Sequence, residues 1–333
     1  MPFRDVLGHG RLTGLLRRSV AAGTLPPSLL FSGPSGVGKR KTALALAQTI
    51  NCLAPIDADA CGRCAACARI ARGVHPDVIV IQPAETGLIR VDPVRDAIDR
   101  AGYRPFEGRR RVVIIDDADA LMPQAQNALL KTLEEPPPSS IFVLVTSRPD
   151  VLLPTVRSRC PQLRFRPLAE DDIAAVLVAR GQKDAEARAV AASADGSLGR
   201  ALEASAGELL EARDVAQRVL ADAAREGTAA RRIDVAKELH PKAGSAGGAA
   251  DRAQLAARLR AMASLLRDAA VIAARADDRA IANRDVRPAL ERLAPEYTGE
   301  RGVRAFAAID RALAALERNA GVKIVADWLV LQL

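Results

Sequence analysis

Three groups of residues have types and spacings that could do chemistry. Gly33-Pro34-Ser35-Gly36-Val37-Gly38-Lys39 follows a short apolar run and opens a helical pattern. This is the G-x-x-x-x-G-K spacing of a phosphate loop. Its glycines let consecutive N–H groups turn inward, and the helix N-terminus and the lysine add positive potential. At the next position a Ser or Thr hydroxyl would hold Mg²⁺, but the chain has Arg40, followed by Lys41. Thr42 is no substitute, because it lies about 200° around the helix and about 3 Å further along. The second group is Val112-Val113-Ile114-Ile115-Asp116-Asp117, an apolar strand ending in acids, with Asp116 expected near a metal. Asp117 stands where a longer Glu would polarise the attacking water. Together these groups predict a site for ATP in which Mg²⁺ ligation is impaired and hydrolysis is weak or lost. The plain alternatives are a glycine turn without a ligand and two acids that only end a strand.

The third group is Cys52, Cys61, Cys64 and Cys67, a C-x₈-C-x₂-C-x₂-C pattern. An x₂ spacing turns two sulfurs toward one ion, so the pattern predicts a structural Zn²⁺. The rival is an iron–sulfur cluster, but ferredoxin-type runs place the fourth cysteine after the triplet and before a proline. Four thiolates leave no open position for water, so the metal would hold structure and not catalyse. His9, His75 and His240 show no ligand spacing.

These groups need elements to hold them. Leu29–Phe31, Val78–Gln82, Val112–Ile115 and Ile141–Val145 read as buried strands; Lys39–Asn51, Pro93–Ala101 and Pro123–Leu133 read as helices between them. Near-continuous Val/Ile/Leu strands alternating with helices predict a parallel sheet covered on both faces. After Pro167 the pattern turns helical, with short helices over Ala169–Arg180 and Ala185–Ala194, then Gly196-Ser197-Leu198-Gly199 and a long Ala/Leu/Arg/Glu-rich region. Pro241–Ala250 reads as a mobile loop. The last segment, Val322–Leu333, carries Ile324, Trp328 and Leu331 on one helical face with Val325 and Leu329 beside them, a helix expected to be buried.

The 333 residues are 49% hydrophobic and 26% charged, which excludes a disordered chain and suffices for two or three domains. Aromatics at 3% argue against a stacking platform for single-stranded nucleic acid. The net charge of +8 is uneven: residues 1–170 hold 23 Lys/Arg against 16 Asp/Glu, and the remainder 25 against 24. A polyanion is therefore expected to meet the first half. No signal segment opens the chain, and no apolar run approaches the roughly 18 residues of a membrane span. A cytoplasmic protein with reduced cysteines and no membrane partner is expected.

Further strings join the phosphate loop and the cysteines: His75-Pro76-Asp77, Asn127-Ala128-Leu129-Leu130-Lys131-Thr132-Leu133-Glu134-Glu135-Pro136-Pro137, and Ser158-Arg159-Cys160. Together they resemble the bacterial clamp-loader AAA+ subunits of DNA polymerase III. The resemblance implies an α/β AAA+ domain over 1–165 with a zinc-binding insertion at 52–67, a helical lid over 166–204 and an all-α collar over 205–333. It makes Arg159 an arginine finger acting on a neighbouring subunit, places Thr146 and Ser147 in the sensor 1 segment, and places Arg200 in the sensor 2 region. There the order Gly196-Ser197-Leu198-Gly199-Arg200 departs from the ATPase pattern, in which Arg follows G-S-L directly.

Within that family the impaired motor positions favour delta prime over gamma/tau, as does the end of the chain at Leu333, and the cysteine module and S-R-C disfavour delta. The implied partners are gamma/tau and delta, with the sliding clamp and primed DNA met through the assembled complex. The alternatives are a gamma/tau-like ATPase and a zinc-dependent nucleic-acid binder. Arg109-Arg110-Arg111 could contact DNA, but a basic run before a buried strand is expected to be a solvated loop.

Overall fold

Strand sequences such as Val112-Val113-Ile114-Ile115 have no polar face, so both sides of the sheet they form must be covered. The computed structural model of the chain describes residues 2–84, 86–203, 206–225, 229–240, 248–278, 281–318 and 320–333. It divides into two compact units, Met1–Ala169 and Glu170–Leu333.

The first unit runs α1 (Gly10–Ala21), β1 (Ser28–Ser32), α2 (Lys39–Asn51), α3 (Ala65–Ala71), β2 (Val78–Ile81), α4 (Val91–Ala101), β3 (Arg111–Ile115), α5 (Pro123–Glu134), β4 (Ser140–Thr146), α6 (Pro154–Arg157) and β5 (Gln162–Arg164). The strands form one sheet in the order β2-β3-β4-β1-β5, and every pairing is parallel. Successive side chains point to opposite faces, so each strand feeds two cores. Leu29, Phe31, Val112, Ile114, Ile141 and Val143 pack with Leu16 of α1, Ala43, Leu46 and Ile50 of α2 and Ile70 of α3. Leu30, Val113, Ile115, Phe142 and Leu144 pack with Val94 and Ala97 of α4, Leu129 and Leu133 of α5 and Val156 of α6. The parallel α/β domain covered on both faces, as expected from the sequence, is present.

Four elements here escaped the sequence reading: α1, α3, α6 and β5, whose three residues are half-buried or exposed and show no apolar run. A further difference is Arg111, which is buried and not solvated. Its guanidinium lies 3.0 Å from the Asp77 carboxylate and also donates to the carbonyls of Arg100, Tyr103 and Arg104. Asp77, itself fully buried, accepts the backbone N–H groups of Phe106, Glu107 and Gly108 at 2.7–2.9 Å. Asn51 Oδ1 accepts those of Arg109 and Arg110 at 2.8 and 3.1 Å. The basic run is therefore the strand-ward end of a tightly anchored loop, and only Arg109 and Arg110 remain for solvent.

The second unit is helical: α7 (Glu170–Ala179), α8 (Asp184–Ser193), α9 (Leu198–Glu203), α10 (Ala206–Ala224), α11 (Ala229–Leu239), α12 (Gly248–Ala273), α13 (Arg287–Leu293), α14 (Gly299–Glu317) and α15 (Val322–Gln332). Its core runs along α12, where Leu255, Leu259, Met262 and Leu265 meet Val219 and Leu220 of α10, Ile309 of α14 and Leu329 of α15. Asp195 binds Arg267 of α12 at 2.6 Å and so ties the turn between α8 and α9 to the long helix.

Residues 241–247 of the expected loop lie outside those described, while 248–250 begin α12. The tail helix forms, but its buried face is Val325, Ala326, Leu329 and Val330. Val325 and Leu329 are buried as expected, and Trp328 packs partly against the core. Ile324, however, is 74% and Leu331 40% exposed, so the helix is not buried on the face they share. Burial follows the partner helices, and a helix apolar on most sides gives its sequence no means to choose between stripes.

Replacing Asp77 by Ala leaves Arg111 charged in the core and three loop N–H groups without an acceptor. Losing one partner of a buried pair costs about 3–5 kcal/mol. Denaturant unfolding of Asp77→Ala against the parent chain measures this, and an unchanged midpoint would refute the anchoring role.

Candidate nucleotide site and cysteine metal centre

Because the strands are parallel, their carboxyl ends share one edge of the sheet. The phosphate loop leaves β1 there, Asp116 follows β3, and Thr146 ends β4, the strand between them in the sheet. Thr146 and Ser147 thus lie beside both the loop and the acids. Gly33 sits at φ +146°, and a Cβ there would come within 2.3 Å of the Phe165 carbonyl oxygen, so the turn out of β1 requires glycine. Gly38 sits at φ +99° with open space where its Cβ would be, which leaves room for a ligand against the start of α2. Ser35 and Pro34 are exposed at the rim and Val37 is buried beneath it.

Lys39 is buried, and its Nζ donates to the carbonyls of Gly33 at 2.7 Å and Pro34 at 2.6 Å. Burial lowers its pKa, against the raising effect of Asp117, Asp119 and Asp116. Arg40 Nε lies 3.5 Å from Asp116 Oδ2, and Gln82 Nε2 approaches the same oxygen at 3.5 Å. Thr42 donates its hydroxyl to the Gly38 carbonyl at 2.9 Å and is committed to the helix. Phosphate-bound Mg²⁺ needs a hydroxyl at position 40 and a free Asp116; this site offers neither, so the residues present do not fit it. Asp117 adopts a left-handed φ of 49°, and partial burial together with Asp116 and Asp119 pushes its carboxyl pKa up. Lys41 lies half-buried on the following turn.

Asp119, which the sequence reading passed over, organises the segment after β4. It accepts the Thr146 hydroxyl at 2.6 Å and the Ser147 N–H at 3.3 Å, and it binds the Arg148 guanidinium at 3.0 Å. A third acid after the apolar strand was the available signal. His9 was also missed as a contributor. Its Nε2 lies 2.9 Å from the Val37 carbonyl and its ring meets Phe165 edge-on at 4.8 Å, so it braces the phosphate loop from behind. No local spacing could have revealed that contact across 28 residues.

Arg159 occupies the opposite edge of the sheet. Its carbonyl accepts the Ser28 hydroxyl at 2.8 Å, at the start of β1, while its guanidinium pairs with Glu134 at the end of α5 and donates to the Thr155 carbonyl. From Ser28 to Ser32, four strand steps of about 3.3 Å separate that edge from the phosphate loop by roughly 13 Å. Arg159 therefore does not join the phosphate site of its own chain. Arg200, in the second unit, donates to the Asp195 carbonyl at 3.2 Å.

The cysteine centre hangs from the far end of α2. Cys52 ends that helix, Cys64 caps α3 and Cys67 lies within it. The four sulfurs lie within 4.8 Å of one another, and Cys52 and Cys64 are 4.0 Å apart. Tetrahedral zinc with Zn–S bonds of about 2.3 Å requires sulfurs about 3.8 Å apart, so the set fits zinc. The N–H groups of Cys61 and Cys64 point at Cys52 Sγ and Cys61 Sγ at 3.2 and 3.3 Å, as bonds to thiolates require. Burial raises the Cys52 and Cys67 thiols. For Cys64, burial is outweighed by the N–H groups of Cys67 and Leu53, and its thiol falls to about 6. Four thiolates this close repel one another, and a dication reverses that penalty. Bound there, zinc would have no open position and would supply structure alone.

The module is latched to the domain by polar contacts the spacing did not reveal. Buried Asp59 accepts the N–H groups of Phe3, Arg4 and Ala60, Arg4 reaches the carbonyls of Ala60 and Cys61, and Gln48 of α2 donates to the Cys67 carbonyl. His75 accepts the Asp77 N–H on Nδ1 and faces Glu107 with Nε2.

No helix among the described residues is long and apolar enough to cross a membrane. Residues 8–169 match the family model described as DNA polymerase III, delta subunit. DNA polymerase III subunit gamma/tau of Mycobacterium tuberculosis is 37% identical over 175 residues, 53% of this chain and 30% of the relative. Subunit delta' of Pseudomonas aeruginosa is 44% identical over 134 residues, 40% of this chain and 41% of the relative. The chain thus aligns with less than half the length of either. A DNA polymerase III gamma subunit-related protein from Thermotoga maritima superposes with a TM-score of 0.49 at 17% identity, covering 96% of this chain and 97% of the other. The resemblance read from the motifs holds in sequence over the first unit.

The metal reading predicts close to one zinc per purified chain by elemental analysis, and reduced occupancy with a lower melting temperature in Cys64→Ser. A metal-free chain that melts like its Cys64→Ser variant would reject the centre.

Proposed function

We propose, for a chain that over residues 8–169 resembles the clamp-loader subunits of DNA polymerase III, that it serves in such a loader as a delta-prime-like stator. In this reading it assembles with gamma/tau-type and delta-type subunits and takes part in placing a sliding clamp on primed DNA. It hydrolyses little or no ATP itself.

The observation that carries the choice of stator is the Arg40–Asp116 contact. A guanidinium stands against the carboxylate that would hold the catalytic metal, and the Thr42 hydroxyl on the same helix is bonded to the Gly38 carbonyl. Relatives of both the gamma/tau and the delta-prime kind are similar to this chain, so likeness alone does not choose between them. The metal position supports the stator reading, because phosphoryl transfer in phosphate-loop enzymes depends on a metal bridging the β- and γ-oxygens.

The placement of Arg159 supports a role toward a neighbour. It is remote from its own phosphate loop, partly exposed, and held by Glu134 and the Thr155 carbonyl in a defined direction. A planar guanidinium offered in this way suits the charge that builds on a transferring phosphoryl group in an adjacent subunit. The second unit, whose α15 leaves Ile324 and Leu331 outward, suits a role in assembly.

In a complex reconstituted with its gamma/tau-type and delta-type subunits, Arg159→Ala should leave the complex mass unchanged and lower DNA-stimulated ATP turnover about tenfold or more. Turnover equal to the parent complex would remove the finger assignment. Steady ATP hydrolysis by the isolated chain, abolished by Lys39→Ala, would replace the stator with an ATPase subunit.

A further inference from the structure

The phosphate loop keeps every feature that recognises phosphate and lacks the features that recognise the metal. Gly36 and Gly38 hold positive φ, the backbone condition for turning N–H groups into one concavity, while the Gly33 N–H is held by the Thr146 carbonyl. Lys39 waits on the carbonyls of Gly33 and Pro34, and the start of α2 is open above Gly38. A loop that had only to turn a strand into a helix would need the glycine at Gly33, where Phe165 crowds it, but no open space at Gly38.

In an ordinary site of this kind the strand-end carboxylate and the polyphosphate are both anionic, and a divalent cation lies between them. Here Arg40 stands against that carboxylate. Its Nε faces Asp116 at 3.5 Å, and the side chain is about half exposed. A guanidinium has five N–H donors in a rigid fork, so one edge can bind a carboxylate while the other binds a phosphate oxygen. Asp119 does not compete for it, being engaged by Thr146, Ser147 and Arg148.

We infer that this phosphate loop binds the phosphates of a nucleoside di- or triphosphate without a divalent cation, with the Arg40 guanidinium bridging Asp116 and the phosphates in the metal's place. This goes beyond the stator reading and concerns binding alone. The bound nucleotide acts as a structural ligand of the first unit, because no metal is present to activate it.

The test is titration of the purified full chain with ADP and with ATP by calorimetry, once in EDTA and once in MgCl₂. The parent chain should bind equally well in both. Arg40→Thr restores the metal-binding hydroxyl and removes the guanidinium. It should lose about tenfold or more of its affinity in EDTA, as expected for a lost charge-assisted hydrogen bond, and regain it with Mg²⁺. Circular dichroism of the variant controls for folding, and Arg40→Lys, which keeps the charge without the fork, should fall between the two. The inference is overturned if the parent chain fails to bind in EDTA, if its binding requires Mg²⁺, or if Arg40→Thr binds in EDTA as tightly as the parent. None of these outcomes bears on Arg159, whose effect is read from turnover of the assembled complex, so the two readings fail separately.

Discussion

All five strands of the sheet point the same way, and that polarity decides where each candidate group can act. Parallel strands joined by helices deliver their carboxyl ends to one edge, where three separate loops converge. The phosphate loop, the Asp116–Asp119 turn and the Thr146–Arg148 segment meet there because β1, β3 and β4 end there. The same rule sends the connections into each strand to the other edge, and Arg159 lies among them beside the first residue of β1. One geometric constraint thus separates a phosphate-facing edge from an arginine-bearing edge, about 13 Å apart by strand rise. An arginine on the far edge lies out of reach of the phosphate loop of its own chain.

Around that sheet the irregular segments are held by buried acids and amides more than by apolar contact. Asp59 fastens the cysteine module to the N-terminal residues, Asp77 and Asn51 gather the loop before β3, and Asp119 gathers the segment after β4. Asp59, Asp77 and Asn51 each collect two or more backbone N–H groups that would otherwise be buried without acceptors, and Asp119 collects the Ser147 N–H together with the Thr146 hydroxyl and the Arg148 guanidinium. Leaving such groups unmet costs more than the net gain of a typical hydrogen bond, so these residues determine loop shape. The cysteine module follows the same logic on a larger scale, with four sulfurs drawn together at the end of the helix that begins at the phosphate loop.

The Arg40–Asp116 contact shows how one substitution changes a site without dismantling it. Arg40 gives the buried strand-end acid a cationic neighbour at 3.5 Å. The loop geometry survives because it depends on Phe165, on His9 behind Val37 and on the backbone of β1, none of which responds to position 40. A nucleotide loop can therefore lose its catalytic metal and keep its shape.

What the sequence determined by itself was whatever is written in local pattern. Four of the five strands, the helices that follow the loop motifs, the phosphate loop with its departure at Arg40, and the cysteine quartet could all be read from spacing within some sixteen residues or fewer. Position in space was beyond its reach wherever the deciding contact came from far along the chain. Three-residue β5 exists because β1 offers it an edge, and α1 because the sheet face offers it a core, so neither announces itself in its own residues. Arg111 looked like part of a solvated basic run because its partner Asp77 is 34 positions away. The outer stripe of α15 looked like core because hydrophobicity marks what can be buried but not which side a neighbour will cover. Local pattern follows from the periodicity of backbone hydrogen bonding, which each segment carries within itself. Burial, pairing and the choice of edge depend on loop closure over tens of residues, and only the folded chain decides them.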